Sequence, residues 1–344
     1  MTNVATDRGL SGVGPPAGRG AFTMLELVVV VVVVGILLTL LLPAVQQARE
    51  SARTLGCQNN LRQWGLGLHQ FESSHGVFPP GVEYRKSPQT GDRASITSFI
   101  FGLLPYVGEA ALYESVDLSA QETDPTVEAC AATPLTLLAC PSEAEPAVNL
   151  GVAATSYAFN WGTGVPLNGY DGFIRPIEPG DFRPFPGGGL NTAGSFPAGL
   201  SHTAAMSEWL HDSQTTTDYR RKVWVLPVQT LDAAGYANGI KVCETVPDDP
   251  ILYGWKMGGF GVGTTWVYLS GPPATGYEHA LTPGGVSCAG TYGIGMMTAN
   301  SLHPAGVNLL YADGRVTTVA RTIDAAIWRK AGSRLATPLL ASQF

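Results

Sequence analysis

One apolar run near the amino terminus constrains the fold of this chain more than any other feature of its sequence. The run extends from Phe22 to Leu42, and a helix of that length would measure about 31 Å, close to the roughly 30 Å of a bilayer's hydrocarbon core. Its valine repeat, Val28–Val34, would favour a strand in water, but in lipid the backbone must satisfy its own hydrogen bonds. The sequence has no second run of this length, so we predict a single transmembrane helix over residues 22–42.

Two simpler interpretations of this run are a signal peptide and an uncleaved membrane anchor. A signal peptide has an apolar region of about 7–15 residues and then a small-residue cleavage site, whereas here the longer run ends at Pro43-Ala-Val-Gln-Gln. An anchor remains an alternative, but it leaves Glu26 unexplained. A carboxylate in a membrane segment costs up to about 2.5–3.5 kcal/mol and therefore indicates a compensating partner.

The residues before and at the start of the run resemble the processing site of type IV prepilins and type II secretion pseudopilins. The resemblance rests on Ala21-Phe22-Thr-Met-Leu-Glu26 followed by the apolar run, with Ala21 where these families usually have Gly. It implies that prepilin peptidase cuts between Ala21 and Phe22 and that the new amine is methylated. It also implies that Glu26 pairs with a neighbouring subunit's amine during assembly, and that Pro43 bends the helix. Residues 1–21 would then be a leader peptide.

Helical periodicity continues beyond the apolar run. The first apolar stripe is Val45, Ala48, Ala52 and Leu55, and the second is Cys57, Leu61, Trp64, Leu68 and Phe71. Both follow the three- and four-residue spacing of one helix face. We therefore predict that residues 43–74 continue the helix as a stalk whose outer half packs on a head domain, with Trp64 in the core.

The head, residues 75–344, has the composition of a β-rich, loop-rich domain. A hairpin is predicted where Val307–Ala312 and Arg315–Ala320 flank Asp313-Gly314, because Asp-Gly is a preferred pair for a type I′ turn. We also predict a strand over residues 264–269 and a short helix over 323–332. The predicted fold class is α+β, a long N-terminal helix packed on a β-rich head, as in pilins.

A series of short motifs, in order along the chain, resembles the DUF1559 family of pseudopilin-like proteins. The motifs are Cys57–His69, Gly76–Gly81, Leu138–Ser142, Ser156-Tyr157, Asp171-Gly172, Gly199–Thr203 with Glu208, and His303 followed by Asp313-Gly314. The last is the family's C-terminal segment of a histidine, nine residues and Asp-Gly. The resemblance implies membership and topology, but not a substrate.

Two groups of polar residues in the head are candidate sites. His303 and Asp313 are weak candidates for metal ligands, and the favoured interpretation is that Asp313 shapes the turn while His303 bonds to a loop. Glu208, His211 and Asp212 lie close in sequence and would suit acid–base chemistry or a metal. A strand end followed by a solvated loop is the favoured alternative, since metal sites need converging ligands. We predict no metal and no cofactor.

The five cysteines lack the spacing of zinc ligands. A head outside the cytoplasm permits disulfides, and we predict at least one bridge among Cys130, Cys140, Cys243 and Cys288, with the connectivity open. Cys57, on the apolar stripe, is predicted to be the buried free thiol.

The sequence therefore predicts a structural function rather than an enzymatic one. The net charge of −7 argues against nucleic acid as a partner, and no common nucleophile, metalloprotease or phosphate-loop motif is present. We predict a pilin- or pseudopilin-like subunit of the bacterial cytoplasmic membrane, with an extracytoplasmic head, that interacts with prepilin peptidase and other such subunits. The alternative is a membrane-tethered protein that binds a solute or glycan, using exposed aromatics among Trp161, Trp209, Trp255 and Trp266.

Overall fold

The structure, a computed structural model, covers most of the chain. It describes residues 23–86, 93–117, 124–143, 148–149, 151–164, 170–177, 189–212, 218–227, 233–247, 257–261, 266, 276–290 and 295–338. The predicted leader, the cleavage site between Ala21 and Phe22, and Trp255 lie outside these residues. The chain divides into two compact units, Met1–Arg49 and Glu50–Phe344.

The helices and strands of the described residues alternate irregularly along the head. The α-helices are α1 (Met24–His75), α2 (Phe99–Leu103), α3 (Ala110–Glu114), α4 (Pro125–Ala131), α5 (Ala233–Cys243) and α6 (Ala325–Gly332). The strands are β1 (Val82–Lys86), β2 (Arg93–Ser98), β3 (Val148–Asn149), β4 (Val152–Ala153), β5 (Tyr157–Gly162), β6 (Pro176–Ile177), β7 (Ala204–Glu208), β8 (Lys222–Val225), β9 (Met257–Gly261), β10 (Gly276–Glu278), β11 (Ser287–Ala289), β12 (Gly295–Met296), β13 (Val307–Tyr311) and β14 (Val316–Val319).

Helix α1 begins with a hydrogen-bonded cap. The backbone N–H and the hydroxyl of Thr23 donate to Glu26 Oε2 at 2.8 and 2.9 Å, and the N–H of Glu26 donates to Thr23 Oγ1 at 3.3 Å. This reciprocal arrangement is a capping box, which satisfies backbone donors that the first turn of a helix leaves unpaired. Pro43 lies inside the helix, which is continuous from Met24 to His75. Among the described residues, α1 is the one helix long and apolar enough to cross a membrane.

The head half of α1 packs through its second apolar stripe, as predicted. Cys57, Leu61, Trp64 and Leu68 are at most 1% exposed, and Phe71 is partly buried against the same core. The indole N–H of Trp64 donates to the carbonyl of Leu137 at 3.0 Å. The first stripe differs, because Val45, Ala48, Ala52 and Leu55 are all exposed.

The largest sheet forms the centre of the head. Its strand order is β10-β5-β7-β13-β14, and every neighbouring pair is antiparallel except β10 with β5. A second sheet has the order β12-β11-β8-β9, and β2-β1-β6 and β3-β4 form smaller ones. The predicted α+β class, a long N-terminal helix packed on a β-rich head, is thus confirmed. Of the strand predicted at 264–269, only Trp266 is described, and it is buried outside any strand.

The predicted hairpin is present, but its turn is not of the two-residue type. The pairing of β13 with β14 matches Leu310 with Val316, and Tyr311 accepts a hydrogen bond from the N–H of Gly314 at 2.9 Å. Gly314 has a φ of +88°. A turn closed from Tyr311 to Gly314, with the glycine in the left-handed region, is the three-residue hairpin connection. The type I′ prediction was therefore wrong, because Ala312 belongs to the loop rather than to the strand.

The cysteine pairing corrects one prediction and confirms another. Cys57 is not free, since it forms a disulfide with Cys140 across Cα atoms 5.1 Å apart. Cys243 pairs with Cys288, which is a bridge among the four cysteines expected to contain one. The free thiol is Cys130, which is buried. Cys57 was misassigned because an apolar stripe shows that a cysteine is buried but not that a second sulfur approaches it.

Strand β10 carries a carboxylic acid into the core. Glu278 is 5% exposed, and its Oε2 accepts the backbone N–H of Met297 at 2.6 Å. Burial raises the pKa of Glu278 to about 8, because desolvation outweighs the single hydrogen bond. The folded state therefore holds this proton more tightly than the unfolded chain does.

Glu278→Gln should make stability less dependent on pH. The stabilising contribution of the Glu278 proton is fully present below the unfolded pKa of 4.5 and is lost as pH rises through about 8. Wild type should therefore lose about 1.4 kcal/mol per unit of pKa shift relative to the variant across that window. Denaturant unfolding of the full chain at several pH values measures the difference.

The matched control for this prediction is Glu128→Gln, because Glu128 is an exposed glutamate on α4. Its pH profile should stay parallel to that of wild type. A Glu278→Gln profile that is also parallel to wild type would contradict the prediction.

Candidate functional site

An imidazole enclosed by two carboxylates lies where the head meets α1. His303 is fully buried and lies in the loop that leads into β13. Its Nδ1 lies 2.7 Å from Glu50 Oε1, and its Nε2 lies 3.3 Å from Glu208 Oε1. Each ring nitrogen of His303 thus faces a different carboxylate.

Glu50 reaches the imidazole from the head half of α1. The hydroxyl of Ser142 donates to Glu50 Oε1 at 3.0 Å, and Arg53 donates to Oε2 at 3.2 Å. Thr54, one turn along the same helix, places its hydroxyl 3.0 Å from His303 Nδ1. The helical spacing puts Glu50 and Thr54 on one face, so α1 supplies one complete side of the site.

Glu208 reaches the imidazole from the end of β7. Its two oxygens accept the backbone N–H of Asn308 at 2.9 Å and the side-chain amide of Asn308 at 2.8 Å. Because β7 and β13 are adjacent antiparallel strands, their pairing sets Asn308 beside Glu208. The carboxylate is 1% exposed, and these contacts compensate for its burial.

The two carboxylates favour the charged form of His303 relative to a histidine in water. Burial alone would lower the pKa of His303, but the hydrogen bonds and charges of Glu208 and Glu50 outweigh burial and raise that pKa. For Glu50, partial burial would raise the pKa, but hydrogen bonds from His303, Ser142 and Arg53 lower it. The three residues therefore form a charge-paired triad in which His303 and Glu208 are buried and Glu50 is partly exposed.

Two sulfur atoms complete this cluster. Cys140 Sγ lies 3.6 Å from His303 Nε2, and Cys140 is bonded to Cys57. The ligand atoms of Cys57, Cys140, Glu208 and His303 all lie within 4.8 Å of one another. This combination of sulfur, imidazole and carboxylate is the donor set of a zinc or other transition-metal site.

A small pocket lies beside the cluster. Its lining includes Cys140, Ser142, Glu208, Asn300 and Ser301. The Asn300 side chain is 1% exposed, and its Oδ1 has no hydrogen-bond partner in the structure. Trp209, Leu210 and Leu302 also line the pocket and make most of its surface apolar, so its polar groups are few.

Asp313 does not join His303. It is partly exposed in the hairpin loop, where its Oδ1 accepts the N–H of Arg315 at 3.0 Å. The neighbouring Gly314 contacts α1 at Gly65 and His69, whereas His303 contacts α1 at Thr54. Eleven residues of helix correspond to about 16 Å, so the hairpin separates the two candidates. The turn role predicted for Asp313 is confirmed, and the pairing of Asp313 with His303 in a metal site was wrong.

Glu208, His211 and Asp212 do not form one cluster either. His211 lies beside Glu143, with Nδ1 3.7 Å from its carboxylate, and Asp212 pairs with Lys222 at 2.6 Å. All three residues are at most 4% exposed. Glu208 does end strand β7, as expected, but the loop that follows is not solvated, because His211 and Asp212 are buried.

A comparison of the sequence with protein-family models identifies the family of this chain. A family model described as "Protein of unknown function (DUF1559)" matches residues 46–326. The chain belongs to the DUF1559 family. The match begins after the apolar run, so it does not bear on the prepilin resemblance at residues 21–26. Neither the comparison with curated proteins nor that with solved structures finds a match.

In this DUF1559 protein, the part of the site that α1 supplies was not predicted from the sequence. Neither Glu50 nor Thr54 was among the predicted site residues. The only sequence signal is indirect: a buried histidine needs a hydrogen-bond partner for each ring nitrogen. That requirement predicts that partners exist, but it does not identify residues about 250 positions away.

The tryptophans proposed as a glycan platform are core residues in the described part of this DUF1559 chain. Trp161, Trp209 and Trp266 are 6%, 1% and 0% exposed. Trp255 lies outside the described residues. A platform for sugar stacking needs exposed ring faces, and these three tryptophans do not offer them.

His303→Ala should destabilise the head of this DUF1559 protein by about 3 kcal/mol or more. The change leaves Glu208 buried without its imidazolium partner, and removing one member of a buried ion pair is strongly destabilising. Denaturant unfolding of the full chain in detergent gives the free energy. His202→Ala is the control, because His202 is exposed and its loss should cost under about 0.5 kcal/mol. Equal effects of the two substitutions would contradict the structural importance of the triad.

Proposed function

We propose that this DUF1559 protein is a type IV pilin- or pseudopilin-like structural subunit of the bacterial cytoplasmic membrane. Prepilin peptidase removes residues 1–21, the Phe22 amine is methylated, and the mature chain assembles with similar subunits through α1. The head lies on the extracytoplasmic side. The sequence Ala21–Glu26 and the family membership support this proposal, and neither supports an enzymatic reaction.

The observation that carries the proposal is the uncovered apolar surface of α1. From Met24 to Leu42 the large apolar side chains of the helix are 46–83% exposed. An apolar surface this extensive is stable only in lipid or against other apolar helices. A membrane alone would cover this apolar surface. Assembly with other subunits is therefore supported by two further features of α1 that lipid does not explain.

Glu26 is one such feature, although its interpretation has two parts. The capping box explains why a carboxylate can stabilise the start of α1 within a single chain. A capping box accepts Gln as well as Glu at this position, so capping does not require the negative charge. A charge in a membrane segment remains costly, and the amine of a neighbouring Phe22 would compensate it.

The exposed first stripe of α1 is the second such feature. Val45, Ala48, Ala52 and Leu55 form one apolar helix face, and all four residues are exposed. These side chains are positioned for lateral packing against the same face of a neighbouring helix. A solitary tethered protein would have no use for an apolar stripe at this place.

The substitution Glu26→Gln tests the negative charge of Glu26 separately from its capping hydrogen bonds. We expect the variant to be cut before Phe22 like wild type, which intact-mass and N-terminal peptide analysis would detect. We expect it not to enter assemblies, because it keeps the capping hydrogen bonds but cannot pair with an amine as an anion. Sedimentation of assemblies from cells that produce each variant measures incorporation.

The comparison variant for Glu26→Gln is Glu26→Ala, which loses the cap as well as the charge. Both variants should fail equally if charge is the requirement. If Glu26→Gln assembles like wild type and Glu26→Ala does not, Glu26 acts only as a cap. A chain that still begins near Met1 would instead support an uncleaved anchor.

Ala48→Cys should form disulfide-linked pairs when membranes that contain the protein are oxidised. Ala48 lies within the exposed stripe, so lateral packing would bring two copies of this position together. Gln46→Cys is the control, because two residues along a helix correspond to about 200° around its axis. The native thiol of Cys130 is buried, and burial raises its pKa to about 11, so it should not compete. Equal cross-linking at both positions would contradict packing through the stripe.

A further inference from the structure

The sulfur, imidazole and carboxylate groups beside α1 have an arrangement that a disulfide alone does not require. Cys57, Cys140, Glu208 and His303 are each at most 8% exposed, and their ligand atoms lie within 4.8 Å of one another. A disulfide needs only its two sulfurs. The imidazole and the carboxylate that face the disulfide are the groups to be explained.

We propose that, when the Cys57–Cys140 disulfide is reduced, these four residues form a tetrahedral zinc site. The oxidised disulfide and the zinc site are then two exclusive states of one locus. Zinc binds thiolates, and a sulfur in a disulfide carries no thiolate charge. The site is separate from the processing and assembly residues, so it goes beyond the proposed function.

Two of the distances between the donor atoms already match those around a tetrahedral zinc ion. Typical bonds from zinc to nitrogen, oxygen and sulfur imply edges of about 3.4 Å between nitrogen and oxygen and about 3.5 Å between nitrogen and sulfur. The structure has 3.3 Å from His303 Nε2 to Glu208 Oε1 and 3.6 Å from His303 Nε2 to Cys140 Sγ. The donor atoms all lie within 4.8 Å of one another, so zinc binding would need small movements of these side chains and separation of the two sulfurs to about 3.8 Å.

The groups behind these donors are those that orient zinc ligands in other proteins. A zinc-bound histidine usually places its second ring nitrogen against a carboxylate, and His303 Nδ1 lies 2.7 Å from Glu50 Oε1. Glu208 is held by two hydrogen bonds from Asn308. Both ligands are thus fixed before any metal arrives, which lowers the entropic cost of binding.

A phosphine can serve as the reductant of the Cys57–Cys140 disulfide. The phosphine breaks the S–S bond and is oxidised to its oxide, while water supplies the oxygen atom and the two protons of the new thiols. Zinc then displaces both thiol protons and the proton on His303 Nε2. The small pocket lined by Cys140, Glu208 and Asn300 lies beside these atoms.

The test compares zinc bound to the oxidised and the phosphine-reduced full-length protein in detergent. Zinc is added, the excess is removed, and the metal per chain is measured by atomic spectroscopy. We expect one equivalent in the reduced protein and none above background in the oxidised protein. Cobalt added in place of zinc should give the visible bands of a tetrahedral ion and the near-ultraviolet bands of thiolate ligation.

Matched variants assign the metal to this locus. The Cys243→Ser, Cys288→Ser double variant, which removes the other disulfide, should bind zinc like wild type, as should Cys130→Ser. Cys140→Ser should not bind it. Glu50→Gln should weaken zinc affinity about 10–100-fold, because it changes only the group behind the histidine.

Three results would overturn the proposal. One is reduced wild-type protein without stoichiometric zinc, and another is a cobalt spectrum without thiolate bands. The third is zinc retained by Cys140→Ser but lost from the Cys243→Ser, Cys288→Ser variant. Because the first two measurements use wild-type protein, a variant that fails to fold does not prevent a decision.

Discussion

The head depends on the contact between the second half of α1 and the two segments that flank it. On one side, residues 136–142 follow the helix, with Leu137 at Trp64, Cys140 at Cys57 and Ser142 at Glu50. On the other side lies the β13–β14 hairpin. This hairpin approaches α1 closely at Gly65, where an added Cβ would lie only 3.0 Å from the Leu310 side chain. The helix is therefore a component of the core, and the largest sheet is built against it.

The apolar pattern predicted this contact because burial follows helical periodicity over a long segment. The second stripe, the hairpin and the closing helix all depend on neighbours in sequence, and all three are present. The turn type was wrong because Asp-Gly fits two hairpin connections, and the choice between them depends on where strand pairing stops. The loop of this hairpin lies against α1 at Gly65 and His69, and a tertiary contact of this kind cannot be predicted from a dipeptide.

The candidate site could be predicted only in part. His303 and Glu208 were identified from the sequence, but Glu50 and the Cys57–Cys140 pair come from contacts between residues far apart in the chain. The site forms because a buried imidazolium needs anions on both sides and no single element provides two. Strand β7 supplies one carboxylate and α1 supplies the other. Charge pairing with His303 thus connects the helix to the sheet in addition to apolar packing.

The Cys57–Cys140 bond also determines how the folded chain would transmit a pulling force. The two cysteines are 83 residues apart in sequence and enclose the first part of the head. Tension applied between the amino-terminal end of α1 and the carboxyl-terminal part of the head would pass directly from Cys57 to Cys140. The residues between them would carry none of that tension, and α1 could not be peeled from the head beyond Cys57 without breaking a covalent bond.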